Sequence, residues 1–453
     1  MSDIAVIVLA AGMGTRMKSK LPKVLHRVAG RSLLGHVLHA AKALSPERVV
    51  VVAGPGMDNL AAEARRLLPG VSVVTQVDRR GTGHAVLTAK EALEGFRGTV
   101  LVLYGDVPLI EPATLSGLTA EVSSGVPLAV LGFDATNPKG YGRLLRNAEG
   151  RVVSIREELD ASPEERTITL CNSGIIAAKA DVLWKTLPRI SDNNAKGEIY
   201  LTDAVGLVAA SGKACGLVIC PESEVAGVND RLQLAGIAAT LQQRYRRHHM
   251  LNGATLAAPE TVHFSADTVI GQDVLIEPHV VFGPGVTVGD GVEILAFSHI
   301  EGATISSGAR IGPYARLRPG AEIGEDAHIG NFVEVKKAII GKGAKANHLT
   351  YIGDARVGSK TNIGAGTITC NYDGFDKFVT DIGADVFVGS NTALVAPVKV
   401  GDGASIAAGS VITQDIPADA LAISRPDLAV RPGWAKRHRE IKKAQKAAKA
   451  NRT

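Results

Sequence analysis

Aliphatic side chains recur at every sixth position through the second half of the chain. Ile270, Ile276, Phe282, Val288, Ile294 and Ile300 open the series. One residue then drops out, and Ile305, Ile311, Leu317, Ile323, Ile329 and Val335 carry it on. A third run covers Ile382, Val388, Leu394, Val400, Ile406 and Ile412. A period of six matches neither one face of an α-helix, at about 3.6, nor the alternation of a half-buried strand. It matches short strands joined by sharp corners, each segment sending one aliphatic knob inward. Glycine follows the knob at Ile270-Gly271, Val288-Gly289, Ile311-Gly312 and Val400-Gly401, where a missing side chain lets the backbone bend. A short fixed period of this kind predicts a parallel β-helix, in which each coil buries its knobs by stacking on the next. The stretches 275–284 and 295–303 are irregular coils within it.

The first half carries a different pattern. Ile4-Ala5-Val6-Ile7-Val8-Leu9 is a continuous apolar run, as expected of a strand buried on both faces of a parallel sheet. Similar runs lie at 49–53, 71–75 and 100–104, with helical stretches at 33–44 and 60–68 between them. Alternating strands and helices predict an α/β domain with its ligand at the carboxyl ends of the strands. The first strand runs into Ala10-Ala11-Gly12-Met13-Gly14-Thr15-Arg16-Met17, followed by Leu21-Pro22-Lys23. Met17 stands where a dinucleotide fingerprint has its third glycine, and the GK[ST] of a P-loop is missing. Small residues after a strand still let backbone N–H groups approach a phosphate chain, and Arg16 and Lys23 add two cations there.

Composition narrows the class. A chain of 453 residues with 45% hydrophobic and 21% charged residues is ordinary globular protein. Its 50 glycines and 4% aromatics suit a solenoid of tight corners. No apolar run is long enough to span a bilayer, and the N-terminus lacks a basic n-region, so a cytoplasmic location is expected. Cys171, Cys215, Cys220 and Cys370 form no CxxC and are expected to be reduced packing residues. The net charge of +5 is concentrated at the end of the chain. Lys436, Arg437, Arg439, Lys442, Lys443, Lys446, Lys449 and Arg452 against Glu440 give the tail +7 and leave −2 elsewhere. Without aromatic residues interleaved beyond Trp434, this is expected to be a solvated helix end rather than a nucleic-acid platform. Leu232, Leu234, Ile237, Ala238, Leu241 and Tyr245 predict a linker helix over 230–251, with His248 and His249 at its exposed end.

The string LAAGxGTRM…LPK is similar to that of sugar-1-phosphate nucleotidyltransferases. Further motifs follow in order: Gln76 with Gly81-Thr82-Gly83-His84-Ala85, Tyr104-Gly105-Asp106-Val107-Pro108, Tyr141-Gly142-Arg143, Glu157, Asn172-Ser173-Gly174, Gly197-Glu198-Ile199-Tyr200-Leu201-Thr202-Asp203 and Gly227-Val228-Asn229. Together with the repeats, they make the chain resemble the bacterial bifunctional N-acetylglucosamine-1-phosphate uridyltransferase/glucosamine-1-phosphate acetyltransferases, from Ile4 to about Trp434. The resemblance implies a Rossmann-like nucleotidyltransferase domain followed by a left-handed parallel β-helix. Its expected boundaries are 1–229 for uridyl transfer, 230–251 for the linker, 252–433 for acetyl transfer and 434–453 for the basic tail. It implies that Leu9, Ala10, Ala11 and Gly12 approach UTP through their backbone, and that Arg16 and Lys23 hold its phosphates and act in catalysis. Gln76, Gly81 and Thr82 would read the uracil. Tyr104, Gly142, Glu157, Asn172 and Tyr200 would line the UDP-sugar pocket, and Asp106 and Asn229 would hold Mg²⁺. That ion keeps several waters, so one carboxylate, one amide and the phosphates suffice.

For the second half, a coil of three hexapeptides has eighteen residues, the spacing of Arg318 and Lys336. They are expected to stack on adjacent coils about 4.8 Å apart, where two cations repel unless an anion joins them. The ladder breaks at 364–381, around an Asp373-Gly374 turn, which predicts a projecting loop. The resemblance implies that Arg318, Lys336, Tyr351, Asn362 and Lys377 hold glucosamine-1-phosphate. It gives His348 the role of general base; whether Glu334 orients the imidazole stays open from the sequence. Asn371 and Tyr372 would border the amino sugar and the acetyl-CoA, which Ser390, Ala408 and Arg425 would also contact. It further implies a homotrimer. Two other readings stay open from the sequence: a solenoid serving only regulation or assembly, and a non-enzymatic nucleotide-exchange subunit. The set around His348 argues against the first, and the intact GTR…PK string with Asp106 against the second.

Overall fold

The computed structural model of the chain describes residues 3–450, the last two of them as backbone only. Arg452 and the side chain of Lys449, both counted in the basic tail, lie outside the described residues. The chain forms two compact units, one of residues up to His249 with 263–267, the other of 250–262 with the remainder.

The first unit is built on a nine-stranded sheet. Ile4–Leu9 lies between Arg48–Ala53 and Thr99–Tyr104, parallel to both. Alternate residues of this strand face two separate cores, Val6 and Val8 one, Ala5 and Ile7 the other, so every position from Ala5 to Val8 is buried. Ser72–Thr75 pairs beyond Arg48–Ala53, so the chain steps outward to one side and then returns to the other side of its first strand. That reversal opens a crevice at the carboxyl ends, where Leu9 and Tyr104 are register partners. Past Thr99–Tyr104, the strand Leu170–Lys179 runs antiparallel, followed by Leu128–Asp134 and Cys215–Ile219. A hairpin of Arg143–Arg146 and Val152–Arg156 closes that edge.

The helix Arg231–Leu251 is not a free connector. Ile237 and Leu241 pack with Met17, Leu33, Leu109 and Val228 in one apolar cluster of the first unit. His249 is not at an exposed end: it is buried and lies against Phe264, ring centroids 4.5 Å apart. Burial, and then His248, push its pKa down to about 4.

The second unit is the parallel β-helix. One face is a ten-stranded column running from Thr255–Leu256 to Leu421–Ala422. A second face carries Arg316–Leu317, the start of Glu334–Ile340 and the start of Tyr351–Val357; a third carries Ala321–Ile323 and the ends of those two long strands. Ile276, Ile294, Leu317, Ile329 and Val335 are among the buried knobs. The irregular stretch 275–303 keeps register, with Ile276 opposite Ile294 and Phe282 opposite Ile300. Coil length is not constant. Val288 to Ile305, Ile323 to Ile340 and Ile340 to Val357 each advance seventeen residues, because one corner is a residue shorter. Val357 next pairs with Ile382, twenty-five residues on, and the surplus is the inserted loop. The loop is narrower than the break in the ladder suggests: Ile368–Cys370 remains a strand, and only 371–379 leaves the coil. Trp434–Ala450 forms the exposed basic helix, where Trp434 stacks on His438.

Candidate active sites in the two units

At the mouth of the first unit, Lys23 passes over Gly14. A side chain at Gly14 would put its Cβ 2.5 Å from the Lys23 Cβ, and its φ of +63° is one L-residues rarely adopt. Lys23 is thereby delivered to the ends of two strands, where Nζ pairs with Asp106 and lies 3.4 Å from Asn229 Oδ1. Arg16 Nη2 donates to the same Asn229 oxygen at 2.8 Å. The Asn229 loop is tied down by Val228 N donating to Asp106 O at 3.0 Å and Asn229 N to Gln233 Oε1 at 2.7 Å. Asp106 and Asn229 thus aim oxygens at one cation, the Lys23 ammonium, and a carboxylate with an amide oxygen is a donor set that suits a hard divalent ion. Ala10 N donates to Val52 O and Gly105 N to Leu9 O, each at 2.9 Å, which anchors the start of the loop; Gly12 stands exposed with open space around it.

The segment 81–85 is packed against Ile199 and Leu201. Gly83 N donates to Ile199 O at 2.8 Å, Leu201 N to Thr82 Oγ1 at 3.0 Å, and a Cβ on Gly81 would lie 2.6 Å from Ile199 O. Gln76 is buried, its Nε2 engaged by Gly81 O and His84 Nδ1, both at 3.2 Å. Nearby, Gly142, Glu157, Asn172 and Tyr200 converge. Asn172 N donates to Gly142 O at 2.8 Å, and a Cβ at Gly142 would come within 3.3 Å of Glu157 Oε1. Thr202, part of the 197–203 motif but without a role read from the sequence, donates to Glu157 Oε1 at 3.1 Å. Burial holds the Glu157 carboxyl above the ordinary range. Burial, then the Glu157 and Asp106 carboxylates, raise the Tyr104 phenol, which joins the two parts of the site. Its ring fills the place of a side chain at Gly174.

In the second unit, Arg316 opposite Glu334 and Leu317 opposite Val335 set Arg318 level with Lys336, and Lys336 lies opposite Gly353. A Cβ at Gly353 would meet the Tyr351 hydroxyl, so the phenol folds over the same row. The loop brings a third cation: Tyr372 bridges Lys377 across a hairpin whose turn is held by Asp373 Oδ1 accepting from Phe375 N and Asp376 N, both at 2.8 Å. The adjacent positive charge of Lys377, and then desolvation and Arg318, hold the Lys336 ammonium below the usual lysine range. Three cations gathered at one row, of which Arg318 is paired with Glu334, make an anion site. Asn371, buried, donates to Asp354 at the root of the loop.

Glu334 does not orient His348. Its Oε1 accepts from Arg318 Nη1 at 2.7 Å and its Oε2 lies 3.6 Å from Arg316 Nη1. The partner of His348 is Asn331, with Nδ1 and Oδ1 2.6 Å apart. Sequence reasoning missed it because an eighteen-residue coil puts position 330 beneath His348; the seventeen-residue coil puts Asn331 there. Ser390, Ala408 and Arg425 fall on the corner of the prism that carries His348. Backbone bonds run along it from Gly366 N to His348 O, Asn391 N to Ala365 O and Gly409 N to Ser390 O, and Arg425 Nη1 donates to Ala408 O at 2.7 Å. Asn362 is the exception. It sits on another face, between Lys345 and Phe387, and one protomer does not bring it to the Arg318 row.

Residues 6–166 match the MobA-like NTP transferase domain family, and 267–302, 302–337 and 380–414 match the bacterial transferase hexapeptide (six repeats) family. The bifunctional protein GlmU of Azorhizobium caulinodans is 56% identical over 433 residues, covering 96% of each chain. That of Paramagnetospirillum magneticum is 56% identical over 450 residues, covering 99% of each, and that of Agrobacterium fabrum 53% identical over 448 residues, covering 99% of this chain and 98% of its own. The chain belongs to the GlmU family of bifunctional enzymes, an N-terminal uridyltransferase joined to a C-terminal hexapeptide-repeat acetyltransferase of glucosamine-1-phosphate.

Proposed function

We propose that each compact unit carries one reaction on the residues described above, acetyl transfer first and uridyl transfer second. In the second unit, Arg318, Lys336 and Lys377 hold the phosphate of glucosamine-1-phosphate, with Tyr351 and Asn371 beside it. His348 takes a proton from the amine as nitrogen attacks the acetyl-CoA carbonyl carbon. The C–N bond forms, the C–S bond breaks, and CoA leaves as the thiol once protonated. Tyr372, Ser390, Ala408 and Arg425 contact the donor. In the first unit, the N-acetylglucosamine-1-phosphate oxygen attacks the α-phosphorus of UTP, and the bond to pyrophosphate breaks. The protein's part there is positioning and charge neutralisation. Arg16 and Lys23 hold the triphosphate, Gln76, Gly81 and Thr82 the uracil, and Gly142, Glu157, Asn172 and Tyr200 the sugar. Asp106 and Asn229 hold Mg²⁺, which supplies further charge neutralisation on the phosphates.

The observation that carries this reading is that each unit assembles its own cluster: Arg16, Lys23, Asp106 and Asn229 in one, Arg318, Lys336, Lys377 and the His348–Asn331 pair in the other. Asn362 lies on a different face from Arg318, which favours a site completed by a neighbouring copy in a homotrimer. The four cysteines are free thiols, in keeping with a cytoplasmic enzyme.

The test is one mixture of glucosamine-1-phosphate, acetyl-CoA, UTP and Mg²⁺. UDP-N-acetylglucosamine is expected only when all four are present, with CoA and pyrophosphate released together. His348→Ala is expected to lose acetyl transfer and keep uridyl transfer. Unchanged acetylation in that variant overturns the assignment of the second site.

A further inference from the structure

A histidine acting as a base must present an unprotonated nitrogen, and one hydrogen bond decides which nitrogen that is. At His348 the bond is to Asn331. An amide oxygen only accepts, so Nδ1 carries the proton, and in the neutral ring Nε2 is left with its lone pair. The two residues are register partners on consecutive coils, and Leu349 N donates to Asn331 O at 3.0 Å. The backbone turns the same way after each, with φ of +57° at Phe332 and +51° at Leu349. Glu334, the nearest carboxylate in sequence to this pair, is held by Arg318 and Arg316.

We propose that Asn331 is a positioning residue for acetyl transfer: by accepting the Nδ1 proton it fixes the tautomer and ring orientation of His348, leaving Nε2 to take the proton from the substrate amine. This rests on the reading of His348 as the base. An amide does this without adding charge. A carboxylate at the same place would favour the imidazolium, whose Nε2 is already protonated and cannot accept. The other ionisable groups around the imidazole are His328, on the strand of Asn331, and the Arg310 and Lys345 side chains that flank His328. Burial first, and then the positive charge of Arg310 and Lys345, hold His328 below the ordinary histidine range. Glu334 and Tyr351 lie on the adjoining face.

The full-length enzyme, with Asn331→Ala and Asn331→Asp, tests this. Asn331→Ala is expected to lower kcat for acetyl transfer by about tenfold or more, leaving KM for both substrates near that of the parent. Asn331→Asp is expected to move the acid limb of the acetyl-transfer pH profile upward by about one unit. Uridyl transfer in the same samples should not change. A kcat within about twofold in Asn331→Ala, or an unmoved acid limb in Asn331→Asp, overturns the proposal. Should Asn331→Ala fail to fold, the near-isosteric Asn331→Asp decides. If His348→Ala retains acetyl transfer, the base reading itself fails; if only the Asn331 variants behave as the parent, that reading stands and Asn331 has no part in it.

Discussion

Lys336 stands level with Arg318 on the next coil and faces Lys377 from the inserted loop. Two coils and a loop, separate in sequence, thus converge on a cluster of like charge. Lys377 is the largest cause of the lowered Lys336 pKa. A bound phosphate reverses it, because an anion favours the protonated ammonium. Binding of glucosamine-1-phosphate should therefore weaken with rising pH earlier than an ordinary lysine titrates, and should take up protons in that range. Calorimetry in buffers of different ionisation enthalpy measures that uptake. Lys377→Ala should weaken binding and also shift its alkaline fall-off to higher pH. A fall-off that moves down instead refutes the cluster.

Asp106 pairs with Lys23 at the first site. Asp106→Ala removes both the ammonium's partner and the charged donor for a metal, so uridyl transfer should fall on the order of a thousandfold. Chelation by EDTA should abolish the same reaction in the parent enzyme. Acetyl transfer should be untouched by either treatment. Uridyl transfer that survives the substitution would remove Asp106 from the site.

Much of this was legible in the sequence because the signals were periodic or local. The knobs from Ile270 to Val335 and the run Ile4–Leu9 each state a burial pattern, and burial decides where they go. The string from Leu9 to Lys23 carries its own turn chemistry, including Gly14. What was not legible depends on register between distant segments. One residue dropped at a corner moves every outward side chain on the next coil, which is why Asn331 was missed as the partner of His348. The strand Leu170–Lys179 is antiparallel between parallel neighbours, a choice that the run of apolar residues does not encode. His249 next to His248 looks like a polar helix end until 263–267 returns to cover it.

Gly14→Ala tests how Lys23 is delivered. The added Cβ would lie 2.5 Å from the Lys23 Cβ, and backbone as well as side chain must shift. A methyl group in the left-handed region adds roughly 1–2 kcal/mol of strain. Uridyl transfer should fall about a hundredfold or more through misplaced phosphate contacts, with KM for UTP raised. Lys23→Arg, which keeps the charge and leaves Gly14 in place, should be much less affected in KM. Equal loss in both variants would show that the charge at Lys23, rather than its path over Gly14, is the sensitive feature.

Glu157 accepts a hydrogen bond from Thr202, and burial raises its pKa. A carboxyl whose folded pKa exceeds its unfolded one stabilises the fold fully below the unfolded value. That contribution is lost as pH rises through the folded value, because the buried anion must then form. Glu157→Gln keeps the shape and an oxygen for the Thr202 hydroxyl, and it never ionises. The variant should therefore melt higher than the parent at neutral pH, and the difference should close as pH falls towards about 4. Function should move the other way. A charged acceptor binds a sugar hydroxyl more strongly than an amide, so KM for N-acetylglucosamine-1-phosphate should rise roughly tenfold at neutral pH. Calorimetric melting from about pH 4 to 8, with KM measured on the same samples, checks both. A variant less stable than the parent at neutral pH would mean that Glu157 is buried as a compensated anion, with Lys196 rather than Thr202 as its principal partner.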